Sequence, residues 1–284
     1  MTVSYQQKLA AAITLSVSLG ASTGAFATPL YSNGFETNVA GWDAFGGSFN
    51  ATRVASGTAG VTSADGAFHA QSGMGSGAAG NWGGYNFGAG GGVPTAFQAY
   101  TTSVDIFLDV DGGWSNDTRF DFSSSINNAS GNFLRDFVFN AGFYDASDAT
   151  GPGAGTDRFI VSASNNAGRA NSFPKNPGRD PFAISSTGWY TFQHSFFDDA
   201  GSLGDDLNIL DDVGALLHSC SLREDAIAVV GGNRYGWFVN NELRTLAFDN
   251  TSLTIDGAGS VPEPSTMLLL GIGMLGLPMA RRRR

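Results

Sequence analysis

Cys220 is the only cysteine among 284 residues, so no disulfide can form within the chain. Its surroundings, "LHSCSLRED", lack the partners of a catalytic cysteine and leave an inert, buried thiol or a bond between two chains as its uses. The three histidines, His69, His194 and His218, stand at no zinc-binding spacing such as H-x-x-x-H. Neither a G-x-S-x-G elbow nor a G-x-x-x-x-G-K-[ST] phosphate loop is present, which removes a serine hydrolase of that type and a nucleotide fold. Positive charge is scarce: 15 Lys and Arg stand against 25 Asp and Glu, a formal charge of −10 that disfavours nucleic acid. No segment recurs at roughly 20 to 50 residues, so a solenoid or propeller is excluded.

Glycine and phenylalanine are abundant, at 40 and 22 residues. In "TTSVDIFLDV", Val104, Ile106 and Leu108 alternate with Asp105 and Asp109; in "TRFDFSSSI", Phe120 and Phe122 alternate with Arg119 and Asp121. This is the period of a half-buried strand. "RDFVFNAGFYD", "DRFIVSAS", "GWYTFQHSFF", "DDLNILDD", "NRYGWFV" and "RTLAFDNTSLTI" are further predicted strands, rich in aromatic and β-branched residues and separated by Gly, Pro, Asn and Asp. His194 shares a face with Phe192 and Phe196, which predicts a core or half-buried position and not a catalytic base. "DDVGALLHSCSLREDAIA" is the one segment predicted as a helix, or as a loop with a single turn. The phenylalanines fill a core between two sheets, and residues 28–260 are expected to form one all-β domain, a jelly-roll-like β-sandwich.

The two ends differ from the middle. The chain finishes "VPEPSTMLLLGIGMLGLPMARRRR". Met267 to Ala280 is uncharged but only 14 residues long, short of the roughly 20 that a spanning helix needs. Ser265, Thr266 and snorkelling arginines extend it to a thin transmembrane span, with Arg281, Arg282, Arg283 and Arg284 held on the cytoplasmic side. Pro262 and Pro264 resist helix and keep the Glu263 peptide extended and open to a processing enzyme. This order of Pro-Glu-Pro, apolar segment and basic end resembles the PEP-CTERM sorting signal, over residues 261–284. The resemblance implies a Gram-negative bacterium, export to the cell envelope, transient contact with the inner membrane, and trimming by an exosortase near Pro262, Glu263 and Pro264. Such proteins commonly accompany exopolysaccharide and the biofilm matrix. An export signal is then required at the other end. Lys8, the mostly apolar Leu9 to Leu19 and the small residues Ala25-Phe26-Ala27 supply a signal peptide for the Sec machinery, residues 1–27, cleaved after Ala27.

Trimming both ends removes Lys8 and four arginines from the 15 basic residues and Glu263 from the 25 acidic ones. Ten basic and 24 acidic residues remain, a formal charge of −14. Such a surface favours solubility, divalent cations or neutral glycans.

"LYSNGFETNVAGW" and "LAFDNTSLTI" look like the first and last strands of carbohydrate-binding jelly-roll modules. In those modules the terminal strands lie together, and an acid from each often binds structural calcium. That resemblance implicates Glu36 and Asp249. Asp109 and Asp111 in "DVDGG", and Asp145, Asp148 and Asp157 in "DASDATGPGAGTD", are weaker candidates, with a plain turn and a solvated loop as their alternatives. For a glycan surface the sequence offers Asn81, Trp82 and Tyr85 in a glycine-dense stretch, and Arg234 with Tyr235 and Trp237, the last two on one strand face, where a core-facing strand is the alternative. No catalytic residue is identified: a glycosidase needs two carboxylates about 5 to 9.5 Å apart, and the many aspartates neither locate nor exclude such a pair.

Three functions stay open: noncovalent glycan binding, calcium-dependent matrix structure, and polysaccharide hydrolysis or lysis. Mass spectrometry of the envelope fraction should return a processed chain beginning at Thr28 and ending near Pro262; a chain retaining both ends contradicts the sorting assignment.

Overall fold

Period-two alternation of apolar and polar side chains organises the molecule into two antiparallel sheets. The computed structural model describes residues 29–42, 51–72, 82–83, 96–165, 174–231, 237–243 and 245–255, all in one compact unit, Ala27–Gly259. Of residues 30, 82, 83 and 237–241 only the backbone is described. The strands are β1 (Pro29–Asn33), β2 (Ala51–Ala55), β3 (Phe68–Ser72), β4 (Trp82–Gly83), β5 (Tyr100–Leu108), β6 (Thr118–Asn127) and β7 (Phe133–Tyr144). They continue with β8 (Arg158–Ser164), β9 (Phe182–Ile184), β10 (Gly188–Asp199), β11 (Ser202–Leu210), β12 (Leu216–Ala226), β13 (Trp237–Asn241) and β14 (Leu246–Ile255).

The larger sheet runs β12-β11-β10-β5-β14-β3-β2, with β1 also paired to β14; the smaller runs β4-β13-β6-β7-β8-β9. The terminal strands β1 and β14 therefore pair directly, Ser32 opposite Ser252 and Asn33 opposite Thr251. The two sheets close on an aromatic core. Phe139 meets Phe192 edge-on at 5.1 Å, Phe137 meets Phe196 at 5.1 Å, and Phe120 meets Phe192 at 6.1 Å, each pair joining β6 or β7 to β10. Each such ring contributes about 1.5 to 3 kcal/mol by burial. The fold is an all-β, two-sheet sandwich. Among the described residues no helix is long and apolar enough to cross a membrane; the tail 261–284 and the signal peptide 1–27 lie outside the described residues.

One predicted element is overturned. The segment expected to be helical or a loop forms the β11–β12 turn and the edge strand β12, followed by a single 3₁₀ turn at Ile227–Val229. His218, Cys220 and Leu222 are more buried than Ser219, Ser221 and Arg223, so the period over these residues is two, and pairing with β11 uses it. Cys220 is half-buried, and burial pushes its thiol up, keeping it protonated and inert.

The aspartate-rich 145–157 loop holds no cation cage; it is built round Arg158, a side chain with no exposure. Its guanidinium donates to the carbonyls of Pro152 (2.8 Å), Thr156 (2.8 Å) and Thr150 (2.8 Å) and to the Asp148 carboxylate (3.1 Å). Lys175 donates to the second Asp148 oxygen at 2.6 Å and holds that carboxyl well below the usual range. A guanidinium, with five fixed donors, does here the loop-gathering that an ion does elsewhere.

Two ionisable side chains, His194, lodged 4.7 Å from the Phe139 ring, and Asp205, sit inside the core with only a backbone contact each, to Phe137 and Ser195. Burial lowers the imidazole to about 3, which keeps it neutral, and raises the carboxyl well above its ordinary value, which favours its protonated form.

Replacing Arg158 with methionine should cost about 3 kcal/mol or more in urea unfolding, because carbonyls and a carboxylate lose their common donor; lysine should rescue only part. The two core groups act oppositely on pH. Asp205 binds its proton more tightly folded than unfolded, so it costs stability as pH rises above the unfolded value; His194 binds its proton less tightly, so it costs stability as pH falls below about 6.5. Melting curves of Asp205→Asn should therefore gain on wild type toward alkaline pH, and those of His194→Leu toward acid pH.

Candidate functional site

The site grows from a bulge. Along β14, Asp249 lies opposite Asp105 of β5, but the next pair is Ser252 with Ser103, so β14 carries one extra residue. Asn250 takes up the irregularity with a left-handed φ of 46°, a conformation that asparagine tolerates better than most residues. On its other edge β14 pairs with β3 through Leu246–Phe248 and with β1 through Thr251–Thr254. At this change of partner, the loop before β3 folds across the sheet.

Glu36 and Asp249 both grip that loop. Asp249 accepts from the N–H groups of Ala64 (3.1 Å) and Asp65 (3.4 Å) through one oxygen and from Asn250 N–H (2.9 Å) through the other. Glu36 accepts from Ala67 N–H (2.9 Å) and Phe68 N–H (3.0 Å). Arg53 ties the other side of the Glu36 turn, donating to Phe35 O at 2.7 Å while stacking on the Phe68 ring. The two acids named as calcium ligands are thus brought to one loop, but they face donors. Calcium needs six to eight oxygens, and the loop presents N–H groups to these carboxylates. Among the described residues, no group of three or more His, Cys, Asp or Glu is placed to hold a metal, and this pair does not fit a calcium cage.

Beside the clamp lies a cleft of about 410 Å³ on the outer face of the larger sheet. Its floor is Asp105, Thr191 and Asn250, its walls Trp189 with the Thr62–Ala64 segment on one side and the β11–β12 turn on the other. Asp105 is fixed by Thr191 Oγ1 (2.6 Å) on one oxygen and Asn250 Nδ2 (2.9 Å) on the other. Trp189 donates its indole N–H to Thr62 O at 2.8 Å, and its ring is braced edge-on by Phe107 at 5.4 Å and His69 at 6.1 Å. Across the cleft, Asp211 caps its own turn by accepting from Val213 N–H and Ala215 N–H, while Asp212 is exposed. Burial, then Asp212 and Asp211, push the Tyr190 hydroxyl up.

Asp105 and Asp249 are directly opposed carboxylates, the kind of pair that glycoside cleavage uses. Burial raises Asp249 to about 6, against three backbone donors that pull the other way. It is 0% exposed, however, and only Asp105 lines the cleft. This pair therefore cannot flank a glycosidic bond.

The remaining sequence candidates lie elsewhere. Asp109 and Asp111 form a plain turn, Asp109 accepting from Asp111 N–H and Asp111 from Thr187 Oγ1. Asp145, Asp148 and Asp157 belong to the Arg158 loop. Trp82 pairs with Phe238, and Trp237 with Gly83 and Ser124, in the smaller sheet, away from the cleft's own strands; their side chains lie outside the described residues. Asn81, Tyr85, Arg234, Tyr235, Ala25, Ala27, Pro262, Glu263, Pro264 and Arg281 to Arg284 also lie outside them. Trp189 went unnoticed in the sequence, although a signal was there. It shares parity with the polar Thr191 and Gln193, not with Phe192, His194 and Phe196, so alternation alone puts it on the solvent face.

Asp249→Ala should cost about 2 kcal/mol in urea unfolding, since three backbone donors lose their acceptor in a buried place. Glu36→Ala, at an exposed position, should cost less than about 1 kcal/mol.

Residues 260–284 match the PEP-CTERM protein-sorting motif. No curated protein matches the chain. Among solved structures, the CBM2 module of the evolved Dit protein of Lactobacillus casei BL23 phage J-1 is similar at 11% identity and a TM-score of 0.40, covering 80% of this chain and 96% of that one. The C-terminal motif makes this a PEP-CTERM-bearing protein destined for export and cell-envelope localisation once its sorting signal is processed.

Proposed function

We propose that the protein is exported through the Sec machinery, trimmed by an exosortase near Pro262-Glu263-Pro264, and then acts at the envelope as a jelly-roll-like β-sandwich that binds extracellular polysaccharide noncovalently. The observation that carries this reading is Trp189, an aromatic ring that lines the same cleft as the polar Asp105, Thr191 and Asn250. A pyranose ring presents apolar C–H groups to an indole and hydroxyls to amides, carboxylates and alcohols, and the cleft pairs those two kinds of surface.

The floor is held before any ligand arrives. Both oxygens of Asp105 already have an internal donor, and the Trp189 indole is locked by Thr62, so little side-chain freedom is lost on binding. One aromatic and a few polar groups support a weak contact, with Kd on the order of 0.1 to 1 mM per site. Attachment to a polymer then depends on many copies engaging one chain.

Affinity electrophoresis of the processed protein through its organism's own exopolysaccharide tests the reading. Trp189→Ala should abolish retardation and Trp189→Phe, which keeps the contacts to Phe107 and His69, should retain part of it. Equal retardation of all three proteins, with circular dichroism showing each folded, excludes the cleft as the binding site.

A further inference from the structure

We infer that the cleft selects a saccharide unit carrying a protonated amine, a hexosamine left unacetylated, over neutral or uronate units; this rests on the cleft being the glycan site. Its lining holds three carboxylates, Asp105, Asp211 and Asp212, and no basic side chain. The contrast with the rest of the fold is informative, because cations are few and are spent elsewhere. Arg119 pairs with Asp117, Arg135 with Asp225 and Glu224, Arg158 and Lys175 with Asp148, and Arg223 with Asp199 and Asp206.

In the cleft the acids meet only neutral partners. Asp105 has a hydroxyl and an amide, and Asp211 has the backbone of its own turn. Burial first, and then the charges of Asp212 and Asp211, raise the neighbouring Tyr190 hydroxyl, in keeping with a negative lining on that side. Trp189 adds to the same preference. With its N–H committed to Thr62, the indole can meet a ligand only through its ring, and an aromatic ring attracts an ammonium as well as stacking on a sugar. A uronate unit would meet like charge, and an N-acetyl group would replace the cation with a neutral amide. The surrounding field, from the formal −14 of residues 28–260, draws a polycationic glycan toward the surface and repels an acidic one.

Isothermal titration of the processed protein with short oligomers of glucosamine, N-acetylglucosamine, glucose and a hexuronate, without divalent metal, tests the inference. The glucosamine oligomer should bind about tenfold more tightly than the acetylated one, with the margin shrinking as salt is added. Asp212→Asn and Asp105→Asn should each narrow it. Equal or tighter binding of a neutral or uronate oligomer overturns the amine preference while leaving the glycan site standing. Binding of none of the four overturns both. Trp189→Ala leaves the net charge unchanged, so a full preference surviving in that variant would falsify the cleft assignment and show adsorption to the acidic surface at large.

Discussion

The buried carboxylate of Asp249 ties together the parts of the molecule that make the cleft beside Trp189. It sits where β14 changes partner from β3 to β1, and it collects the N–H groups that the Ala64-Asp65 segment would otherwise leave without acceptors. The bulge at Asn250 turns that residue's amide onto Asp105, and the pinned loop brings Thr62 to the Trp189 indole. Without the clamp, the Ala64-Asp65 segment loses the acceptor of its N–H groups, and that wall of the cleft is left to Glu36, the Ser63–His69 contact and Trp189. Glu36, reaching the same loop from the turn after β1, makes the start of the chain part of the arrangement.

Electrostatic scarcity shapes the rest. A chain with few cations uses them as structural fasteners: Arg158 gathers a whole loop, and Arg135 joins β7 to the Glu224-Asp225 pair on β12. The acids around the cleft are left with neutral neighbours, so the cleft keeps a negative lining. Inside the sandwich the opposite solution holds, and burial keeps His194 neutral and favours the protonated form of Asp205.

Strand identity was largely legible in the sequence because a two-residue period needs only local information. Val104, Ile106 and Leu108 on β5, and Phe120 and Phe122 on β6, face inward as their alternation requires, and His194 is buried beside its phenylalanines. The β12 segment misled because its glycine-free run of Leu216 to Ala226 has acceptable helix formers as well as alternation, and only pairing with β11 decides between them. The residues of the cleft were harder. Trp82 and Trp237 drew attention through their surroundings, whereas Trp189 looked like one more aromatic in a strand of aromatics.

By itself, the sequence determined the destination and the class of fold. An apolar tail between Pro-Glu-Pro and four arginines is recognised as a linear segment, and alternating side chains commit a strand to two faces before any partner is chosen. Tertiary structure alone decided the site. Asp105, Thr191, Trp189, Asn250 and the β11–β12 turn come from three strands and one connection, and they meet because of strand order and a one-residue bulge. Glu36 and Asp249 show the same division. The chain identified both as acids of the paired terminal strands, but whether they face a cation or a row of N–H groups depended on how the loop between β2 and β3 crossed the sheet.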